Sequence, residues 1–231
     1  METLDAVSRE GRDRLYPSLT NPNWLVLRRR REIFRDGIAL LEIQNLRVLD
    51  VGGRIQPYRP LLEGRISRYL AVDMRPTPLV NVVGRGEQIP FAGEMFDLVI
   101  CTQMLEYVSE PSAVIAEIYR VLKTGGWLFV SVPSLAMRDA DEDSLRFLPA
   151  ALRRLLRSFR DVKVVPEGGS FAGLFRTMNS GLNVLVRYPI LRTIFQWTLC
   201  PLINLSGALL DRVAPGKNDQ FTTNYSVWAR K

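Results

Sequence analysis

The chain alternates between short stretches that are apolar at nearly every position and longer ones whose apolar residues recur at helical spacing. Five apolar runs stand out: LRVLDVG (46–52), RYLAVD (68–73), LVNVV (79–83), FDLVICT (96–102) and GWLFVSVP (126–133). Continuous apolarity of this kind is what parallel strands buried on both faces require. Between the last two lies EPSAVIAEIYRVLK (110–123), which predicts an amphipathic helix with Ser109 as candidate N-cap and Gly125-Gly126 as its stop signal. Upstream, NWLVLRRRREIFRDGIALLEI (23–43) predicts another helix. Its run Arg28 to Arg31 reads most simply as the solvated face, with anion binding as the other reading. Strands alternating with helices predict a doubly wound parallel sheet.

The last third differs. DSLRFLPAALRRLLRSF (143–159) predicts a helix, DVKVVPE (161–167) a strand, and TTNYSVWARK (222–231) a closing strand. Two late strands suggest an antiparallel hairpin at the sheet edge. The residues between them, Gly168 to Gln220, are too many for a structureless loop. Their most apolar part, Thr193 to Leu210, carries no charge and approaches the length that spans a bilayer, about 20 residues. Gln196, Pro201, Asn204 and Ser206 dilute it, and Arg187, Arg192 and Arg212 flank it. Three readings stay open: a helical cap over a substrate site, an interfacial membrane-contacting element, and a transmembrane span. The predicted organisation is an N-terminal helical segment (1–45), a core (46–167), a helical apolar insertion (168–220) and a final core strand (221–231).

Composition narrows the chemistry. Hydrophobic residues at 47% and charged residues at 24% describe a folded protein, and 231 residues suit one α/β domain. A formal charge of +7 favours anionic contacts: phosphate-bearing substrates, nucleic acid or acidic lipid. There is no histidine, so the commonest general base and the commonest metal ligand are both missing. Cys101 and Cys200 lie far apart without metal-ligand spacing, which suits a reducing compartment and implies no metal site. The charged start of the chain has no signal-peptide core, so a cytoplasmic location is expected, at the inner face of the membrane if the insertion touches lipid.

Asp50 precedes Gly52-Gly53 at a strand's carboxyl end, where open α/β sheets bind ligands. Glycine there lets backbone approach a cofactor without a Cβ in the way. Asp73 ends the next strand, and a carboxylate at that position can take both hydroxyls of a ribose. A plain tight turn, with Asp73 as a helix cap, is the alternative.

In VLDVGG, YLAVD, GEQIPFAGEMFDLVICTQMLEYVSEP and EIYRVLKTGGWLFVSVPS, the chain resembles the class I S-adenosylmethionine-dependent methyltransferases, in the group with the "type 11" methyltransferase domain. The blocks match in order and spacing over about Arg47 to Ser134. DEDSLRFLPAALRRLLRSF is similar to members found among glycan-assembly enzymes. The resemblance implies a Rossmann-like, mostly parallel seven-stranded sheet with an antiparallel C-terminal edge hairpin. It implies S-adenosyl-L-methionine as cofactor, with Gly52 and Gly53 near its methionine part and Asp50 orienting the turn or holding the amino group through water. Asp73 would accept the ribose hydroxyls and Met74 would lie against the adenine. Gly86 and Glu87 would flank the adenine edge, and Thr102 and Gln103 would contact the methionine end.

The chain departs from the family pattern at four places. Arg54 and Gln56 replace the second and third glycines of the turn, Arg85 replaces an aspartate, and Tyr107 replaces a histidine. Arg54 would repel a sulfonium if it pointed inward, or could clamp the methionine carboxylate. A side chain at 54 or 56 can point outward provided the backbone avoids positive φ. Methyl transfer suits a protein without histidine, since positioning and exclusion of water carry most of the work. A hydroxyl acceptor would benefit from a base, and Glu106, Tyr107, Asp139, Asp141 and Asp143 are the candidates. The acceptor implied is a small molecule, a sugar or a lipid-linked glycan, with peripheral membrane contact through 180–212. A non-catalytic methyltransferase-like binding protein is the alternative. Nucleic-acid methylation rests on charge alone, with no aromatic-asparagine-proline signature in a suitable place.

Overall fold

A computed structural model describes every residue except 1, 42, 139 and 214–218. Candidate Asp139 therefore lies outside the described residues. The elements are α1 (Leu4–Leu15), α2 (Trp24–Ala39), β1 (Leu46–Val51), β2 (Ile66–Asp73), β3 (Val82–Val83), β4 (Phe96–Thr102), α3 (Pro111–Val121), β5 (Leu122–Pro133), α4 (Pro149–Leu155), β6 (Arg160–Pro166), α5 (Ser170–Leu185), α6 (Pro189–Trp197), α7 (Leu199–Val213) and β7 (Asn224–Arg230).

The seven strands form one sheet in the order β3-β2-β1-β4-β5-β7-β6. The first five run parallel, and β7 is antiparallel to both β5 and β6. The doubly wound expectation and the late antiparallel pair therefore hold, with β7 inserted between β5 and its hairpin partner. One sheet face packs Val99, Val114, Ile118 and Leu152 under α3 and α4. The other packs Leu15, Ile33 and Phe34 of α1 and α2. Phe34 sits 4.7 Å from Tyr58, 4.9 Å from Phe129 and 5.7 Å from Trp228 between ring centroids. The N-terminal segment thus covers one face of the sheet rather than forming an appendage. It fills space that a helix after β1 would occupy, for that connection holds only a short 3₁₀ turn, Arg59–Leu62.

Three local expectations are corrected. Ser109 does not cap α3: Glu110 holds the N-cap position without a side-chain bond and Pro111 begins the helix, where its missing N–H costs nothing. The helix also ends at Val121, ahead of the Gly-Gly signal, because Leu122 already pairs with Phe96 in the sheet. The helix of 143–159 shrinks to Pro149–Leu155, since a proline serves as its first residue.

The arginine run is the larger correction. Arg28, Arg29 and Arg31 keep partial exposure, but Arg30 is 1% exposed. It falls on the same α2 face as Val26, Leu27, Ile33, Phe34 and Ile38, at the i+3 and i+4 spacing that defines the buried stripe. Its guanidinium pairs with Glu167, just past β6: Nε donates to both carboxylate oxygens at 2.9 Å and Nη2 lies 2.8 Å from Oε2. The hydroxyls of Ser131 and Ser226 both donate to Glu167 Oε1 at 2.6 Å. Burial by itself would lower the pKa of Arg30, but the adjacent carboxylate more than offsets this and raises it.

The insertion forms α5, α6 and α7. Among the described residues no single helix is long and apolar enough to cross a membrane, and the apolar stretch breaks at Thr198 into α6 and α7, bent by 40°. Asn204 fixes α7 from within, donating to the carbonyls of Leu19 (2.8 Å) and Asn21 (3.0 Å) and accepting from Asn179 of α5 (2.9 Å).

Candidate active site

β1 and β2 end side by side, Asp50 opposite Ala71 and Val51 opposite Val72, so the two candidate carboxylates reach the same edge of the sheet. Asp50 is buried, and its Oδ2 accepts from the Tyr69 hydroxyl at 2.6 Å. Burial raises its pKa to about 7, opposed by the Tyr69 bond and aided by the charge of Asp73. Asp73 is half-buried, and its Oδ1 accepts from the Arg75 N–H at 2.8 Å. Met74 beside it is exposed.

Gly52 has φ +80°, and a Cβ there would stand 2.9 Å from the Met104 side chain, so both conformation and space require glycine. A Cβ on Gly53 would meet Asp50 at 2.7 Å, and one on Gly86 would meet the far end of Met104 at 2.9 Å. Met104 thus links the two glycine positions, a role that the sequence reading missed because nothing in the local pattern marks it.

The altered turn is held from outside. Arg54 turns away from the cleft, Nη1 donating to Glu2 at 3.0 Å and Nη2 pairing with Glu10 of α1. Gly11 lets α1 lie on the turn, since a Cβ there would approach the Ile55 carbonyl oxygen to 2.4 Å. Gln56 does not avoid positive φ as an outward side chain would need: its φ is +46°, and its buried amide donates to the Leu79 carbonyl at 2.6 Å. Gln56 thus sits in the left-handed region and is tethered to the β2–β3 loop. Arg85 also faces solvent, with Glu87 3.8 Å away.

Beyond β4, Thr102 is half-buried and Gln103 has φ +52°. The Gln103 backbone N–H donates to Ser131 at 2.8 Å, and its side-chain amide meets that of Asn224 at 3.2 Å. Glu106 follows in a 3₁₀ turn (Leu105–Tyr107), 3% exposed, with Oε2 buried and without a hydrogen-bond partner. Burial raises its pKa to about 7, opposed by its own backbone bond and by the charges of Arg30 and Arg14. Tyr107 points outward at 37% exposure. Asp141 is an exposed partner of Arg138, and Asp143 is buried against Arg146.

Next to Gln103 lies a cavity of about 330 Å³, walled by α1, α2, α5 and the start of β7. Asn21, Asn23, Gln103 and Asn224 line it with amides, Glu10 and Asp13 with carboxylates. Arg14, Arg30 and Arg176 add guanidiniums. Arg30 Nη1 is buried and unpartnered. The pKa of Arg14 is lowered by burial and by the like charge of Arg30. Arg176 shows that the insertion supplies part of the cavity wall.

The sequence profile of the family described as "Methyltransferase domain" matches residues 49–130, the stretch from β1 through β5 that carries Asp50, Gly52, Asp73 and Gln103. That match over 49–130, together with the fold, supports a class I S-adenosylmethionine-dependent methyltransferase domain in this part of the chain. The ubiquinone biosynthesis O-methyltransferase of Pseudomonas putida is 49% identical over 102 residues, 37% of this chain and 43% of that protein. The chain spans about half the length, or less, of the curated relatives it matches. In fold, it resembles the Burkholderia thailandensis 1,6-didemethyltoxoflavin-N1-methyltransferase (TM-score 0.53, 16% identity, 98% of this chain and 84% of that one). It also resembles the [4+2]-cyclase SpnF (TM-score 0.54, 18% identity, 87% and 80%). The second likeness illustrates that this fold by itself does not define a reaction.

The methyltransferase residues fit the cofactor. Gly52 keeps the turn free of a Cβ, and Asp73 Oδ2 makes no hydrogen bond among the described residues, leaving an acceptor for ribose hydroxyls. The arginine at the second glycine position is withdrawn by Glu2 and Glu10.

Proposed function

We propose that this protein transfers a methyl group from S-adenosylmethionine to the hydroxyl of a small-molecule acceptor, a sugar or a lipid-linked glycan. The observation that carries the reading is the polar cavity beside Gln103, at the end of the cleft where the methionine part of the cofactor is expected. When bound, the cofactor supplies a methyl group already activated by its sulfonium charge. Asp73 would hold the ribose and Gln103 the methionine end, with Gly52 admitting close approach of the backbone. The amides of Asn21, Asn23 and Asn224 suit the hydroxyls of a sugar, while Arg14 suits an anionic group on the acceptor. Glu106 is the candidate base: it is buried within electrostatic reach of the cavity-lining residues Arg30 and Arg14, and burial raises its pKa to about 7, so it would hold the acceptor's hydroxyl proton near neutral pH. Two buried free thiols suit a cytoplasmic protein.

The test is calorimetric titration with S-adenosylhomocysteine. Asp73→Ala should weaken binding more than tenfold through loss of a charged hydrogen-bond acceptor, and equal affinities would refute the assigned cleft. The second reading, a non-catalytic binding protein, draws on Arg54 and Gln56 in the turn. Absence of heat from folded wild-type protein at millimolar cofactor would favour it.

A further inference from the structure

The strongest unassigned feature lies away from the cleft, on the outer face of the insertion. In α6, Ile190, Leu191, Ile194 and Trp197 are each more than half exposed, on one helical face. In α7, Leu202, Leu205 and Leu209 continue the surface at i, i+3 and i+7, each at 49–61% exposure. The opposite faces are committed inward: Phe195, Cys200, Asn204 and Gly207 are buried, and a Cβ on Gly207 would sit 2.7 Å from Phe175 of α5. The apolar face therefore has a set orientation, and within the described residues no part of the chain covers it.

We propose that this face seats the protein on an anionic lipid surface, lying in the interface rather than crossing it. Charge identifies the occupant. From Gly168 to Leu210 the chain holds no aspartate or glutamate, while Arg187, Arg192 and Arg212 flank the apolar stretch in sequence, Arg187 and Arg212 exposed and Arg192 half-buried against the Val186 carbonyl at 3.1 Å. Asp211, the first acid beyond it, is used internally, accepting from the backbone of Gly169 (2.7 Å) and Ala172 (3.2 Å). A second copy of this chain would set these arginines against their own kind, with no acid on the face to offset them. Anionic headgroups complement them. Tyr188 and Trp197, 71% and 72% exposed, are the amphipathic rings that favour a lipid–water boundary. Neither α6 (9 residues) nor α7 (15 residues) is long enough to span alone. The two reach that length only as a pair bent by 40°, and the inner face of the pair is committed to α5 and the Leu19–Asn21 backbone, which favours lying in the interface.

The test is flotation of the full chain with vesicles of phosphatidylcholine alone and with phosphatidylglycerol added. The wild type should float with the anionic vesicles and far less with the neutral ones. Arg187→Glu should lower the partition at least fivefold, as expected for a basic residue near an anionic surface. Ile190→Ser combined with Leu202→Ser should abolish flotation without changing the near-ultraviolet circular dichroism, both sites being on the surface. Brominated lipid should quench the wild type's fluorescence, and Trp197→Phe should remove most of that quenching. Wild-type protein that stays in solution with anionic vesicles overturns the proposal. So does equal flotation of the serine variant, or a concentration-dependent dimer that the same serines dissolve. S-adenosylhomocysteine titration of the serine variant keeps the outcome separate from the catalytic reading, because cofactor binding there should match wild type.

Discussion

Removing Glu167 should be among the most damaging single changes in this protein outside the cofactor cleft. The carboxylate is fully buried, and its loss strands a guanidinium whose side chain is 2% exposed. It also takes the acceptor from two buried hydroxyls, Ser131 and Ser226. Breaking a buried ion pair from one side costs about 3–5 kcal/mol, because the remaining charge has neither water nor a partner. An orphaned hydroxyl adds on the order of 1 kcal/mol. Against a domain stability of about 5–15 kcal/mol, Glu167→Ala should cut stability by a third or more. At roughly 2–4 °C per kcal/mol for a chain of this size, Tm should fall by about 10 °C or more. Replacing both partners, Arg30→Met with Glu167→Leu, should recover most of the loss, since two apolar side chains carry no desolvation penalty. Thermal and urea melts followed by circular dichroism check both. A drop of under about 2 °C for Glu167→Ala would refute the reasoning, for it would mean that water reaches Arg30.

Glu106→Gln should lower the turnover of an identified acceptor by about 10²–10⁴-fold while leaving S-adenosylhomocysteine affinity unchanged. In the wild type, the rate should rise with pH through about 7, as the carboxyl must lose its proton before it can accept one, and the variant should lack that limb. Asp50, raised on folding from 3.8 to about 7, favours the fold while protonated; that contribution is complete below about pH 4 and lost as pH rises through about 7. Asp50→Asn, which retains a partner for Tyr69, should therefore stabilise the protein at pH 8 but hardly at pH 4. The gain is bounded by about 1.4 kcal/mol per pH unit across that window, and urea melts at the two pH values measure it. An equal effect at both would show that the carboxyl is solvated.

The strand ends that carry the proposed cofactor residues were legible because their signals are local. Asp50, Gly52 and Asp73 sit at the ends of apolar runs, and a run buried on both faces declares itself residue by residue. The cavity was less legible. Its walls come from α1, α2, Gln103, α5 and Asn224, which are distant in sequence and meet only once the sheet is built. Arg30 shows the limit of composition. A run of four arginines suggested solvent, yet the third falls at i+3 and i+4 from Leu27 and Val26, on the apolar stripe. Reading periodicity before charge would have found its burial, though not its partner 137 positions away. Gln56 and Arg54 show a different limit. Their identities marked a departure from the glycine pattern, but only the packed structure has α1 holding Arg54 and the β2–β3 loop holding Gln56.

By itself, the order and character of the apolar segments determined the doubly wound sheet, the late antiparallel pair and the existence of a helical insertion, because period and run length respond to which faces are covered. Tertiary structure alone decided how β7 slips between β5 and β6, that α1 and α2 complete the core, that Arg30 is neutralised by Glu167, and which side of α6 and α7 is left bare. These depend on contacts between segments far apart in the chain. Their free energy lies in the desolvation of paired groups and in shape complementarity, and neither is written in any one stretch of residues.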